Sequence, residues 1–256
     1  MTARVDADRL KHDFDELAAI GRTERGGVDR PALSPAHLEA RAWYLEQAAE
    51  AGLEASIDEA GNHSAILPAV ASDARTLLLG SHLDSVPSGG RYDGALGVLA
   101  ALEVLRVVKD EGLRLPVALE AIDFTDEEGT LVGLLGSRAL AGSLEPAMLA
   151  APRGGRDALL AGLSRAGLEE ERLVDARRNP ASLVAYLELH IEQGPVLEHC
   201  GAQIGIVAAI VGSRSFELVF QGVAAHAGTT PMDTRRDAAL GAAAFVEAVP
   251  RTVTTE

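Results

Sequence analysis

The sequence predicts an α/β fold, with a central sheet and a smaller second domain opening near its C-terminal end. Two observations carry this. Short apolar runs, at 76–79, 117–124 and 183–189, alternate with longer segments whose apolar residues recur at helical spacing. Each run then delivers residues of the kind that ligate metals: His82 and Asp93 after the first, Glu128 after the second, His190 after the third. In open α/β sheets the ligand crevice lies at the C-terminal ends of the strands.

The elements follow in order. Apolar Leu10, Phe14, Leu17 and Ala18 predict a helix over 8–20, closed by the glycine-rich break 21–27. Ser34-Pro35 reads as an N-cap with proline in the first turn, and Gly52 as the residue just past the helix end near Ala51. Trp43 and Tyr44 inside it are expected at the core and its rim. Alternation over 53–58 predicts a strand paired with 64–67 across the Gly61-Asn62 turn, with His63 facing solvent. A helix is expected from Ala95 to Val108, a short one at 136–140, and a polar helical region over 147–179 broken at Pro152, Gly154-Gly155 and Gly167. From about Ala209 the character changes. Segments 203–211 and 213–220 read as paired strands, 221–232 as a polar loop and 233–249 as an alanine-rich helix. The expected domains are 1–208 and 209–256.

Composition narrows the function classes. A hydrophobic content of 47% with only 4% aromatics predicts a sizeable core built from Ala, Leu and Val. The net charge of −15 disfavours nucleic acid and anionic membrane as partners. The lone Cys200 excludes an intrachain disulfide framework and fits a reducing compartment. The polar start of the chain does not read as a signal peptide, and no uncharged apolar run is long enough to span a bilayer. A cytoplasmic protein is expected.

The chemistry concentrates in 80–98, where a histidine, two aspartates and several glycines separate a strand from a helix. His82 and Asp84 are two apart, so in extended chain their side chains share a face, and Asp84 can orient the imidazole. Asp93 can bind metal directly or bridge two ions. Glu127 and Glu128 follow a buried run and point opposite ways in extended chain, so one can serve a metal and the other a water. Mixed histidine and carboxylate donors suit zinc, or manganese and cobalt. A dinuclear phosphoesterase is set aside for want of basic residues placed for phosphate. His226 reads by spacing alone as an ordinary loop histidine, and His12, His37 and His199 are assigned to the surface.

A specific resemblance joins these pieces. Gly80-Ser81-His82-Leu83-Asp84-Ser85-Val86, Tyr92-Asp93-Gly94, Phe124-Thr125-Asp126-Glu127-Glu128-Gly129, Gly136-Ser137-Arg138-Ala139, the run from Glu188 to Pro195 and the run from Ala225 to Met232 resemble, in order, the zinc-dependent amidase/hydantoinase/carbamoylase family. That family includes N-carbamoyl-L-amino-acid hydrolases, ureidopropionases and allantoate amidohydrolases. The resemblance implies a two-metal aminopeptidase-like catalytic domain with a central mixed sheet, followed by the start of an α+β lid and dimerisation domain. It implies two divalent ions held by His82, His190 and Glu128, with Asp93 bridging and Asp84 behind His82. Glu127 is then the general base, Gln193 meets the ureido end of the substrate, and His226 stabilises the oxyanion. The implied reaction is hydrolysis of an N-carbamoyl-L-amino acid to the amino acid, ammonia and carbon dioxide, with allantoate or a ureidopropionate as alternative substrates. The implied partner is a second copy of the chain, joined through the lid.

The departures are equally specific. The family's last histidine ligand and its carboxylate-gripping Arg and Asn are expected beyond Glu256, so a truncated, inactive chain or a subunit completed by another polypeptide is the competing expectation. Thr130-Leu131 stands where the family has Arg-Phe, in a loop to Gly136 that reads as shorter.

Overall fold

The computed structural model describes residues 4–253 apart from 213. The chain forms two compact units, Met1–Pro195 and Val196–Glu256. The boundary expected at 208/209 therefore falls inside the second.

The first unit is built on a five-stranded mixed sheet of order β1-β2-β4-β3-β5, with β1 Glu54–Ile57, β2 His63–Leu67, β3 Thr76–His82, β4 Ala118–Phe124 and β5 Leu183–Leu187. The hairpin β1–β2 adds antiparallel to β4, whereas β3 runs parallel to both β4 and β5. The helices are α1 Ala7–Leu17, α2 Pro35–Glu50, α3 Ala95–Asp110, α4 Leu135–Ala141, α5 Pro146–Ala150 and α6 Arg156–Ala166. The Asp6 carboxylate caps α1, and the Ser34 hydroxyl caps α2 by accepting from His37 N–H, as Ser34-Pro35 predicts.

Strand periodicity sorts the core. Leu119 and Ala121 of β4 face α2 and α3, packing with Tyr44, Leu99, Leu102 and Leu105. Ile122 and Phe124 turn to the other face, beside Leu78 and Leu140. A further cluster, Leu33, Leu131, Leu135, Leu159, Leu163 and Leu173, closes the helical region after the sheet. With both faces covered, β3 and β4 need no solvent-facing alternation, which is why they read as continuous apolar runs.

Several expectations change. His37 is fully buried rather than at the surface, because its Nδ1 accepts the Leu33 N–H at 2.9 Å inside the turn that starts α2. His63 is half-buried on β2, with Nδ1 2.8 Å from the Gly61 carbonyl. The strand β5 is apolar but largely exposed, since it lies at the sheet edge with β3 alone beside it among the described residues. In the second unit the expected strand pair over 203–220 does not form among the described residues, and Ser213 lies outside them. Ile206 is 96% exposed and Val211 92%, so the alternation has nothing to bury against, and an isolated two-stranded ribbon is marginal in water. The alanine-rich helix is present as α8 Ala238–Val253, preceded by a short helical turn at Met232–Thr234. Short helix α7, Val196–Cys200, opens that unit.

Candidate metal centre

The site grows from the C-terminal end of β3. There the chain must pass His82, turn through Asp84 and return as α3. Gly94 makes the return possible. It has φ +63°, and a Cβ there would fall inside contact distance of both the His82 carbonyl and its imidazole. His82 is buried, and its Nδ1 lies 3.0 Å from the Asp84 carbonyl and 3.6 Å from the Asp84 carboxylate. That pattern puts the ring proton on Nδ1 and leaves Nε2 as a donor atom for a metal. His190, just beyond β5, repeats it: Nδ1 is 2.6 Å from the Ile191 carbonyl and Nε2 faces Asp93.

Asp93 is the meeting point. Its Oδ1 lies 3.2 Å from His190 Nε2 and 4.0 Å from His82 Nε2. One ligand atom from each of His82, Asp93 and His190 falls within 4.8 Å of the others. Donors bound at about 2.0–2.2 Å around one zinc-like ion stand roughly 3–4 Å apart, so this donor set fits a divalent cation. The other Asp93 oxygen, expected to bridge two ions, accepts the Gln193 side-chain N–H at 2.6 Å. Gln193, expected to meet substrate, is thus tied to a ligand carboxylate, in a backbone with φ +55°.

Glu127 sits beside this group, with Oε2 3.5 Å from His82 Nε2. Glu128 is not one of the converging ligands among the described residues; its backbone N–H reaches Asp84 instead. The Asp84 carboxylate accepts both the Glu127 and the Glu128 amide at 3.2 Å, which pins the acidic turn to the histidine turn. His226 belongs to the second unit. Its Nδ1 accepts the N–H groups of Gly228 and Thr229, each at 3.1 Å, so its proton lies on Nε2.

The charges respond to this crowding. Burial depresses the His82 imidazole, but the Asp84 and Glu127 carboxylates outweigh it and raise it to about 9. Burial raises Glu127 and Glu128, with His82 opposing. A divalent cation among these donors would invert that balance.

Sequence reasoning passed over two acids that shape the site. Asp126, fully buried with φ +55°, accepts from Leu131 N–H at 2.9 Å, Val132 at 2.6 Å and Gly133 at 2.8 Å, winding the following loop around its carboxylate. Within that loop the unusual Thr130-Leu131 pair is accommodated: Thr130 Oγ1 accepts the Ala32 N–H at 2.9 Å, and Leu131 joins the core. Asp123 is a charged residue inside an apolar strand, the one signal that set it apart.

A mixed sheet thus gathers histidine and carboxylate groups fit to hold a divalent ion at its strand ends. Residues 78–255 match peptidase family M20/M25/M40, and the chain belongs to that family. It is 40% identical to the N-carbamoyl-L-amino acid amidohydrolase of Geobacillus stearothermophilus over 98% of its length, and spans 63% of that relative. It is 37% identical to the allantoate deiminase of Arabidopsis thaliana over 94% of its length, spanning 49% of that relative. A solved hydantoinase/carbamoylase family amidase from Burkholderia ambifaria superposes with a TM-score of 0.78 at 36% identity, covering 99% of this chain and 61% of that one. The resemblance read from the sequence motifs is therefore met. No helix among the described residues is long and apolar enough to cross a membrane.

Proposed function

We propose that this chain is the metal-binding part of an amidohydrolase that cleaves the linear C–N bond of N-carbamoyl-L-amino acids. The observation that carries the reading is the convergence of His82 Nε2 and His190 Nε2 on Asp93, with the Glu127 carboxylate 3.5 Å from the same His82 nitrogen. The substrate class follows from the N-carbamoyl-L-amino acid amidohydrolase relative. Allantoate is the second reading, favoured by the allantoate deiminase relative.

His82, Asp93 and His190 would hold one divalent ion, zinc in preference to manganese or cobalt, and Glu128 would complete the set for a second. Ions held by these residues would supply Lewis-acid polarisation of the ureido carbonyl and a lowered pKa for water. Glu127 is half-exposed and so open to both water and substrate. It takes the proton of the attacking water and returns it to the leaving nitrogen. Asp84 keeps the Glu127 amide in place and holds the His82 proton on Nδ1. With its amide nitrogen donating to Asp93, Gln193 would offer its amide oxygen to the N–H groups of the ureido end. One water is consumed, and the carbamoyl group leaves as ammonia and carbon dioxide, freeing the amino acid. A homodimer through the second unit in a cytoplasmic setting is part of the same proposal. The exposed Ile206, Val207, Ile210 and Phe216 of that unit support it.

The test is elemental analysis of bound zinc and manganese beside ammonia release from N-carbamoyl-L-methionine. Glu127→Gln is expected to cut ammonia release by about 100-fold or more with metal content intact. Loss of metal in that variant, or undiminished release, would overturn the assignment of Glu127.

A further inference from the structure

The strands that frame the site end side by side, with Ser81 opposite Asp123 and His82 opposite Phe124. At that end lies a buried ion pair that the proposed chemistry does not use. Arg41 of α2 is 1% exposed and Asp123 of β4 is 0% exposed, and Arg41 Nε donates to Asp123 Oδ2 at 2.7 Å. The other carboxylate oxygen, Oδ1, accepts the N–H of Leu83 at 2.7 Å. Leu83 is the residue between His82 and Asp84.

The pair is anchored on its far side. Arg41 also donates to Thr125 Oγ1 at 2.9 Å, and the Thr125 N–H donates to Asn62 Oδ1 at 3.0 Å. A continuous buried chain of directional bonds thus runs from α2 and the turn before β2 to a single amide of the histidine turn. A buried ion pair contributes little net stability against an apolar replacement of the same shape. What it adds is direction. An amide held from behind fixes the peptide plane between His82 and Leu83, and with it the backbone from which the His82 ring projects.

We infer that Asp123, held by Arg41, is a positioning residue for the metal-ligating turn, aiming His82 Nε2 at Asp93 through the Leu83 amide. This rests on the reading of His82 as a ligand. It extends that reading to a residue that touches neither metal nor substrate.

Zinc titration of the metal-stripped full chain against a competing chelator tests it. Removing a partner behind a ligand typically weakens metal binding by about 10–100-fold, and that loss is expected for Asp123→Ala under conditions where its circular dichroism matches the parent. Asp123→Asn keeps an oxygen for the Leu83 N–H and should lose less. Tyr44→Phe removes two buried hydrogen bonds from the same side of the sheet without touching the turn, and should bind zinc like the parent. Parent-like affinity in a folded Asp123→Ala chain overturns the inference. If that variant does not fold, parent-like affinity in both Asp123→Asn and Arg41→Lys does so. A parent chain that binds no zinc would instead defeat the metal reading. Positioning is then read from the ring NMR resonances of His82, which should move in Asp123→Asn and stay put in Tyr44→Phe. Identical shifts in all three chains overturn it.

Discussion

Tyr44 carries its hydroxyl into the centre of the first unit, where it donates to the Ala121 carbonyl at 2.6 Å and accepts the Ala65 N–H at 3.2 Å. It therefore ties the antiparallel neighbours β2 and β4 together from the helix above them. Burial raises its phenol far above the usual range, so the group stays neutral and serves only as a hydrogen-bonding bridge. Tyr44→Phe leaves two buried backbone groups without this partner and should cost about 1–3 kcal/mol in urea unfolding. An unchanged unfolding midpoint would show that the backbone finds other partners. Trp43, its neighbour on α2, lies at the rim while Tyr44 takes the core, and Trp43 Nε1 donates to a Glu16 carboxylate oxygen at 3.2 Å. The same single-residue logic separates two of the three acids after β4. Asp126 serves the backbone of its own loop, whereas Glu127 faces the histidine.

At the scale of elements, the unit that matters is strand, turn and helix: β3, the histidine turn and α3. Its geometry depends on left-handed backbone at Gly94 and on a close strand approach at Gly80, where a Cβ would collide with the Ile122 carbonyl of β4. Gly94→Ala must hold φ +63° with ψ −52°, a sparsely populated backbone region for a residue with a Cβ that costs about 1–3 kcal/mol, and must also displace the His82 carbonyl. The expected outcome is a lower urea midpoint together with loss of bound zinc. A stable Gly94→Ala chain with full metal content would show that the turn can shift without harm to the ligands. The β5 strand brings His190 into the same end of the sheet because it is parallel to β3, pairing Leu79 with Leu187. Parallel neighbours end at the same edge, so ligands far apart in sequence meet without any special loop.

For the whole molecule, acid sensitivity follows from histidines folded away neutral. Desolvation, with Arg41 adding to it, lowers His63 to about 3, and desolvation also lowers His37 well below its usual value. The unfolded chain, with histidines near 6.5, then binds more protons than the folded one at mildly acidic pH. Stability from this source is complete above the unfolded value and is lost as pH falls from about 6.5 toward 3, at up to about 1.4 kcal/mol per pH unit for each histidine. Buried acids raised by desolvation, Asp123 among them, slope the opposite way. The informative quantity is therefore the difference between the parent and His63→Asn, measured by urea unfolding from pH 7 to pH 4. The parent should lose stability relative to the variant across that range. A constant difference would mean that His63 titrates normally in the folded chain.

The candidate ligands His82, Asp93 and His190 were legible in the sequence because each comes after an apolar run, and the fold class was legible because helical and strand periods alternate. Local pattern also set the cap at Ser34 and the breaks at Gly154-Gly155 and Gly167. Tertiary structure alone decided the rest. Burial of His37 and His63 depends on which elements pack over them, and among the described residues only the fold shows that Glu128 lies outside the three converging groups. The roles of Arg41 and Asp123 join residues 82 apart in sequence. A side chain's period is a local property of the backbone, whereas its partner is fixed only when distant segments are brought together. The described residues of 203–212 and 214–220 show the converse: a strand-like pattern specifies a strand only where another strand or a packed face is present to receive it.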